Sequence, residues 1–356
     1  MTQSYETVPK MQRFSIGFLG TFIIGFGAVW IWVASNFIVF MDRGYAMWAA
    51  KMQIAHNCTM GRLAILGDSR PMADIIPPLV GAGVVNLAFG GVTAVENYIF
   101  AKQILNCSNL PKAVILSLTP VSFKKIGKLV DQAAYNGLLT FSDLEDIRNH
   151  TREMNYGPYD LDFKQDIELR VKEVGYATRF PPYYFSQVKD AFISPHAWEN
   201  KEVFDYTSKM YGWFWDFMPG NPFGHSHAEE TGWDDFTPFP FSDYYLHQLL
   251  ALFESKHIPV YFVAMPYNED SFQIMKPEFI EAYTAYINSV VKQYPGTHIL
   301  GPLFSSIPWD KCYDSYHLNP QGARMYSERL RQLLNSSHVE GGPYIADPEA
   351  IGNVNW

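Results

Sequence analysis

The sequence predicts an α/β protein whose core is a doubly wound parallel sheet of about five strands. Short apolar runs alternate with segments of helical spacing, which is the pattern of strands joined by crossover helices. The first run, residues 63–66, stops at a Gly-Asp-Ser turn, as a buried strand of a parallel sheet would. The predicted strands are residues 63–66, 84–88, 113–118, 258–266 and 298–300.

The connections between these strands have the apolar spacing of helices. Val95, Ile99 and Ile104 recur at intervals that place them on one helical face. Crossovers of this kind are expected to be right-handed. The predicted helices are residues 94–105, 244–256, 279–294 and 323–334, and a first crossover region is expected within residues 72–80.

Composition excludes some classes of function. The chain has 356 residues, enough for one large domain or two small ones. Its net charge of −9 gives no electrostatic support for binding nucleic acid, so no nucleic-acid partner is expected. A mean hydropathy of −0.10 argues against a protein with many membrane spans.

One N-terminal segment is expected to cross a membrane. Residues 14–41 form a stretch of 28 residues without a charged side chain, and a tilted transmembrane helix needs about 20. Trp30 and Trp32 would lie toward one interface, as aromatic belts do. The lipid bilayer is therefore a predicted partner of this segment.

Flanking charges predict the orientation of this span. Lys10 and Arg13 precede it, whereas Asp42 and Arg43 cancel each other just after it. The positive-inside rule then places the N-terminus in the cytoplasm and the remaining chain in the periplasm or extracellular space. A cleavable signal peptide, with a small-residue site at residues 33–35, is the alternative. The length of the apolar stretch favours a retained anchor.

The alternation of strands and helices is interrupted in the middle of the chain. Residues 124–241 are rich in aromatic side chains and are interpreted as an insertion that forms a lid or side wall over the carboxyl edge of the sheet. The predicted organisation is a cytoplasmic N-terminus at 1–13, an anchor at 14–41, a juxtamembrane linker at 42–61, a catalytic domain at 62–337 containing this insertion, and a tail at 338–356.

Two motifs, far apart in the chain, predict a nucleophilic serine. Ser69 follows the first strand, at the sheet edge where open α/β proteins bind ligands. Asp314 and His317 lie in a loop just before the last helix. Asp314 can hold one imidazole nitrogen of His317, and the other nitrogen can accept the proton of Ser69. The alternative is a turn serine and a histidine that caps the following helix.

Together these motifs resemble those of the SGNH (GDSL-like) hydrolase family. That family has a Gly-Asp-Ser block after its first strand and an Asp-x-x-His block near its C-terminus. The resemblance implies a three-layer sandwich and an oxyanion hole with three donors. Two of them would be the N–H of Ser69 and the N–H of Gly90 or Gly91, which follow the second strand; we favour Gly90. No cofactor or metal is implied.

The third oxyanion block departs from the family pattern. An asparagine should follow the third strand, but the chain reads Ser117-Leu118-Thr119-Pro120. Either Thr119 or Ser117 donates instead, or the hole has two donors. Losing one donor lowers the rate by a factor of about a hundred or more. The departure argues against a fast general esterase.

A subgroup of extracytoplasmic acyl-transfer proteins fits this departure and the anchor. The subgroup that this chain resembles includes the D-alanyl-transfer protein of teichoic-acid modification and the alginate-type O-acetyltransferases. The resemblance implies serine-dependent transfer of an acyl group, acetyl being the commoner, to a polysaccharide or cell-envelope polymer. It also implies a multi-span membrane-bound O-acyltransferase as partner. The alternatives are a carbohydrate esterase or deacetylase, and a non-catalytic membrane-tethered assembly subunit.

Charged and sulfur-containing side chains near these motifs allow further predictions. Arg70 could hold an anionic group of the substrate, or a surface carboxylate. Asp68 is expected to fix its turn by accepting a backbone hydrogen bond. Cys58 and Cys107 precede two neighbouring strands, so they could form a disulfide or remain free buried thiols. Cys312 would be left over, and packing is its favoured role.

Two groups in the insertion have alternative interpretations. Trp213, Trp215 and Trp233 could stack on sugar rings or form a small core. A second group could suggest a metal, but without another ligand cluster a solvated loop is favoured. That group is His225, His227, Glu229 and Glu230.

Overall fold

A parallel sheet of five strands forms the centre of the protein. The computed structural model describes residues 7–124, 129–154, 163–193, 196–215 and 226–351. Its strands are β1 (Leu63–Gly67), β2 (Val84–Asn86), β3 (Ala113–Ser117), β4 (Val260–Phe262), β5 (Tyr267–Asn268), β6 (Thr297–Ile299) and β7 (Ser306–Ile307). The main sheet has the order β2-β1-β3-β4-β6, which confirms the predicted five-stranded parallel sheet. The small parallel pair formed by β5 and β7 was not predicted.

The order of the strands creates a crevice at the carboxyl ends of β1 and β3. The chain goes from β1 outward to β2 and then returns to β3 on the other side of β1. Ligands of open α/β sheets bind where the strand order reverses in this way. At the end of β1, a Cβ on Gly67 would lie 2.0 Å from the carbonyl oxygen of Ser117. Only glycine therefore allows the two strands to stay this close.

Helices cover both faces of the sheet. One face packs against α6, α12 and α14 and the other against α15, and separate apolar clusters lie on the two sides. The helices are α1 (Thr7–Ser35), α2 (Phe37–Phe40), α3 (Arg43–His56), α4 (Ser69–Asp74), α5 (Pro77–Val80), α6 (Ala94–Leu105), α7 (Pro120–Lys124), α8 (Phe141–Glu153), α9 (Phe163–Ala177), α10 (Phe185–Ile193), α11 (Ala197–Lys209), α12 (Pro240–Glu254), α13 (Glu269–Ile274), α14 (Pro277–Gln293), α15 (Pro320–Ser336) and α16 (Pro348–Ile351).

The N-terminal helix α1 is long and apolar enough to cross a membrane, over the 22 residues Phe14–Ser35. The apolar segment was predicted to extend to residue 41, but the long helix ends six residues earlier. Helix α1 ends at Ser35, and Phe37, Phe40 and Met41 are buried in the core of the folded domain. Sequence alone could not separate these residues from the apolar helix before them, because lipid and a protein core favour the same apolar side chains.

The segment interpreted as a juxtamembrane linker is helix α3, and it packs into the domain. Trp48 lies against Phe89 with 4.3 Å between ring centroids. The fully buried Lys51 donates a hydrogen bond to the carbonyl of Ala88, just before the glycines that follow β2. A disulfide between Cys58 and Cys107, with 5.4 Å between their Cα atoms, ties the end of α3 to the end of α6.

Two described helices of the insertion pack against the N-terminal helices. Helix α11 lies on α2 and α3, and α10 lies on α2. Other described parts of the insertion reach the carboxyl edge of the sheet. The indole of Trp213 donates to the carbonyl of Ala73 at 2.7 Å, and Nε2 of Gln132 donates to the carbonyl of Gly90 at 2.6 Å. The turn Glu229–Gly232 contacts the loops that carry Ser69 and His317. These parts lie where the side wall was predicted.

Candidate active site

Ser69, His317 and Asp314 form a hydrogen-bonded chain at the carboxyl edge of the sheet. The Oγ of Ser69 lies 3.0 Å from Nε2 of His317. The Nδ1 of His317 lies 2.9 Å from Oδ2 and 3.1 Å from Oδ1 of Asp314. A carboxylate can only accept, so Nδ1 carries a hydrogen and Nε2 has a lone pair for the hydroxyl proton of Ser69. The tertiary fold therefore brings together the three residues that the motifs predicted.

Asp68 holds the turn that presents Ser69. Its Oδ1 accepts from the N–H of Arg70 at 3.1 Å, as predicted for a turn-forming aspartate. Its Oδ2 accepts from the N–H of Thr119 at 2.8 Å and from the hydroxyl of Ser122 at 2.6 Å. Asp68 thus caps α4 and also joins the turn after β1 to the turn after β3.

The loop that carries His317 is fixed by two aspartates. The Oδ1 of Asp314 accepts from the N–H groups of Tyr316 and His317, both at 2.7 Å. Burial raises the pKa of Asp314, but these bonds and the contact with the His317 ring outweigh burial and lower the pKa. Asp314 is therefore a carboxylate at neutral pH. The Oδ1 of Asp74 accepts from the N–H of Leu318 at 2.9 Å.

Gly90 is placed to provide an oxyanion donor beside Ser69. A Cβ on Gly90 would lie 3.9 Å from the Cβ of Ser69. Its carbonyl accepts from Nε2 of Gln132 at 2.6 Å, which fixes the peptide. Within the described part of the chain, the N–H groups of Ser69 and Gly90 have no protein acceptor. Gly91 has a φ of +71° and would meet Gln132 if it carried a Cβ, so its role is to form the turn.

Thr119 makes its hydrogen bonds to other protein groups, so neither its N–H nor its hydroxyl hydrogen is available to an oxyanion. Its N–H donates to Asp68, and its hydroxyl lies 3.0 Å from the Oγ of Ser122. Because the Ser122 hydroxyl donates to Asp68, the Thr119 hydroxyl is left to donate to Ser122. Thr119 therefore adds no donor, and the candidate donors next to Ser69 are the backbone N–H groups of Ser69 and Gly90.

Arg70 forms a buried ion pair instead of facing the crevice. Its Nη2 lies 2.8 Å from Oε1 of Glu230, and both side chains are at most 2% exposed. The rings of Tyr267 and Tyr316 flank the guanidinium, at 4.6 and 4.8 Å from Cζ. Contact with a carboxylate was one of the two predictions for Arg70, but that carboxylate is buried and not at the surface.

The Glu230 side chain was wrongly assigned to a solvated loop. It is fully buried, and the Tyr267 hydroxyl donates to the same Oε1 that Arg70 contacts, at 2.9 Å. The neighbouring Glu229 N–H donates to the Tyr316 hydroxyl at 2.6 Å. The turn Glu229–Gly232 therefore binds both the Ser69 turn, through Arg70, and the His317 loop, through Tyr316. Sequence gave no local signal for Glu230, because its partner lies 160 residues earlier.

The other predicted groups do not assemble into a binding site. Trp213 and Trp215 pack in one apolar cluster, whereas Trp233 packs in another, with 5.6 Å between its ring centroid and that of Phe279. The three tryptophans therefore do not form one cluster. His227 is exposed and His225 lies outside the described residues. Within the described ranges no three potential metal ligands come together.

Cys312 is buried, which agrees with a packing role, and burial raises the pKa of its thiol to about 12.

The arrangement has the parts needed for acyl transfer through a serine. A nucleophile, a base and an orienting carboxylate lie in one chain, next to two unengaged N–H donors. Ser69 is partly exposed and His317 is 13% exposed, so the site is open to a substrate.

No protein-family model matches this chain, and no curated protein matches it at a significant level. The family resemblance of its motifs thus stays a prediction, and the chemistry is inferred from the geometry.

Proposed function

We propose that this protein is a membrane-anchored serine acyltransferase that moves an acyl group, acetyl being the commoner in the family that its motifs resemble, onto a polysaccharide or cell-envelope polymer. The observation that carries the proposal is the hydrogen-bonded chain from Asp314 through His317 to Ser69, beside the N–H groups of Ser69 and Gly90. A capping histidine would not need a hydroxyl at its outer nitrogen and a carboxylate at its inner one.

The first half of the reaction loads the serine. The Oγ of Ser69 attacks the carbonyl carbon of an acyl ester while Nε2 of His317 takes the hydroxyl proton. The carbonyl oxygen becomes an oxyanion and accepts hydrogen bonds from the N–H groups of Ser69 and Gly90. The intermediate collapses, the bond to the leaving oxygen breaks, and His317 returns the proton to that oxygen. Asp314 stabilises the imidazolium throughout.

The second half of the reaction discharges the acyl-serine. A sugar hydroxyl attacks the ester carbon and gives its proton to His317, and the collapse of the second intermediate returns that proton to Ser69. Water in place of the sugar would make the same site an esterase. A two-donor hole argues against a fast general esterase, since a missing donor costs a factor of about a hundred or more in rate.

The architecture around the site supports an extracytoplasmic setting. The five-stranded parallel sheet, with its nucleophile after β1 and its histidine before the last long helix, agrees with the SGNH-like fold that the motifs imply. A disulfide is favoured by an oxidising compartment. Helix α1 would be the anchor, with the N-terminus in the cytoplasm. A multi-span membrane-bound O-acyltransferase is the proposed partner that supplies the acyl group.

Intact-mass analysis tests this proposal directly. The full-length protein in detergent is incubated with p-nitrophenyl acetate, next to Ser69→Ala and to Ser315→Ala as a control in the neighbouring loop. We expect wild type and Ser315→Ala to gain the mass of one acetyl group, and Ser69→Ala to gain none. No adduct on wild type would overturn the proposal and favour the non-catalytic assembly subunit. With acceptor oligosaccharide added, acetylated sugar indicates a transferase and free acetate indicates an esterase.

A further inference from the structure

Exposed apolar side chains concentrate in the part of the insertion that touches α1. Outside α1, six of the large exposed apolar side chains fall between residues 167 and 198, compared with four in the rest of the described chain. Phe185, Ile193 and Trp198 are 66%, 73% and 72% exposed. On α9, Ile167, Val171 and Val174 follow helical spacing and form one exposed stripe. Such a concentration marks a surface that is covered by something apolar.

The same part of the insertion is attached to α1. The indole of Trp30 donates to the carbonyl of Thr178 at 3.0 Å. The ring of Phe180 lies 5.0 Å from Trp30 and 5.9 Å from Phe26, measured between centroids. Nη1 of Arg179 donates to the carbonyl of Ala34 at 2.9 Å, which caps the end of α1.

The contacts at Phe26 and Trp30 lie within the apolar segment of α1, before its end at Ser35. Phe26 precedes Ser35 by nine residues, a distance of about 13 Å along a helix axis. The 22 apolar residues of the span have a length of about 33 Å, close to the thickness of about 30 Å of a bilayer's hydrocarbon core. If α1 crosses a bilayer, so little excess length would place Ser35 near the interface, and Phe180, which contacts Phe26, would lie on the side of the lipid tails.

A strained turn holds Phe180 in this position. Arg179 has a φ of +51°, which a non-glycine residue rarely adopts. The N–H of Phe180 donates to the carbonyl of Gly175 at 2.8 Å and that of Arg179 to Tyr176 at 3.0 Å, the pattern of a helix-ending Schellman turn. Glycine is the usual residue there, but only a long side chain can reach Ala34 and stack on Phe37, 4.9 Å away.

We propose that helices α9 to α11 and the turn between α9 and α10 rest in the interface of the bilayer that α1 crosses. The occupant of the exposed apolar surface is then lipid. The surface is continuous with the span, because Trp198 lines a groove of about 810 Å³ together with Ser35, Phe37 and Arg179. Tryptophan and basic side chains are favoured at this depth. The inference rests on the membrane anchor of the proposed function, and is independent of the serine chemistry.

Depth measurements on spin labels test the inference in the full-length chain. Single cysteines replace Phe185 and Ile193 on the proposed surface, Ile24 on α1 as a lipid reference, and Ile345, which is 68% exposed on the C-terminal tail, as a water reference. Each variant is reconstituted into vesicles of phosphatidylethanolamine and phosphatidylglycerol. All four side chains are exposed, so the substitutions are compatible with folding. Unsubstituted protein, whose Cys312 is buried, is the labelling blank.

The accessibility of each label to oxygen and to a water-soluble nickel complex separates the outcomes. We expect the labels at 185 and 193 to favour oxygen, as at 24, and the label at 345 to favour nickel. If 185 and 193 match 345 while 24 is in lipid, the inference is overturned and the anchor stands. Shielding of 185 and 193 from both reagents would show a protein contact and would also overturn it. If 24 matches 345, the anchor itself fails.

Discussion

The buried ion pair between Arg70 and Glu230 allows a quantitative prediction for Glu230→Ala. Nη2 of Arg70 and Oε1 of Glu230 are 2.8 Å apart, and neither side chain has more than 2% exposure. Burial lowers the pKa of Arg70, but the charge of Glu230 outweighs burial and raises the pKa above its usual value. Arginine is not deprotonated in proteins, so the guanidinium stays charged when Glu230 is removed and cannot relieve that loss by releasing a proton.

The expected cost follows from what the substitution leaves behind. Removing one partner of a buried ion pair costs about 3–5 kcal/mol, because the other charge stays uncompensated. The Tyr267 hydroxyl also loses its acceptor, which adds about 1 kcal/mol. Domains have about 5–15 kcal/mol of stability in total, so Glu230→Ala is expected to remove a large share. Glu230→Gln keeps an acceptor oxygen and should cost less.

Urea unfolding of the full-length protein in detergent, followed by tryptophan fluorescence, measures this cost. Glu328→Ala is the matched control, since Glu328 pairs with Arg324 at the surface and such pairs contribute at most about 1 kcal/mol. The double variant Arg70→Met with Glu230→Leu should be only about 1 kcal/mol less stable than wild type, because an apolar pair replaces both charges and the Tyr267 hydroxyl alone loses its acceptor. A cost of less than about 1 kcal/mol for Glu230→Ala, or a double variant as unstable as the single one, would refute the reasoning.

Three further predictions concern the site and its support. Gly90→Ala should keep the free energy of unfolding within about 0.5 kcal/mol, because the new methyl makes only ordinary contacts. It should slow acylation about tenfold or more, because that methyl occupies space beside Ser69 that the substrate carbonyl would need. Gly91→Ala, strained at a φ of +71°, should instead lower the free energy of unfolding by about 1–2 kcal/mol. Asp314→Asn should slow nitrophenol release by a factor of about 10³–10⁴ by stabilising the wrong tautomer of His317, and a loss below tenfold would contradict the triad. Burial lowers the pKa of Lys51 from 10.5 to about 7. Between these two pH values the unfolded chain binds more protons than the folded one. The free energy of unfolding should therefore rise with pH across that window, by at most about 5 kcal/mol. Urea unfolding at several pH values should show that rise in wild type and not in Lys51→Met. If the free energy of unfolding rises with pH as steeply in Lys51→Met as in wild type, Lys51 is not the cause.

Local sequence patterns predicted the sheet and the residues of the triad. Continuous apolar runs that end in turn residues locate buried strands, because a strand covered on both faces has no polar positions. Ser69 could be identified because it stands where such a strand ends, and His317 because its orienting carboxylate lies three residues earlier. Each of these signals depends on residues that are neighbours in the chain.

The partners of individual side chains were decided only by the tertiary structure. Sequence could not say that Arg70 pairs with Glu230 across 160 residues, or that Thr119 is engaged by Asp68 rather than by an oxyanion. Nor could it place the end of the long apolar helix, since the side chain of Phe37 is equally suited to lipid and to a protein core. Apolar pattern and turn chemistry determine which backbone conformations are favourable. Which distant groups meet depends on how the finished elements pack, and that information is spread over the whole chain.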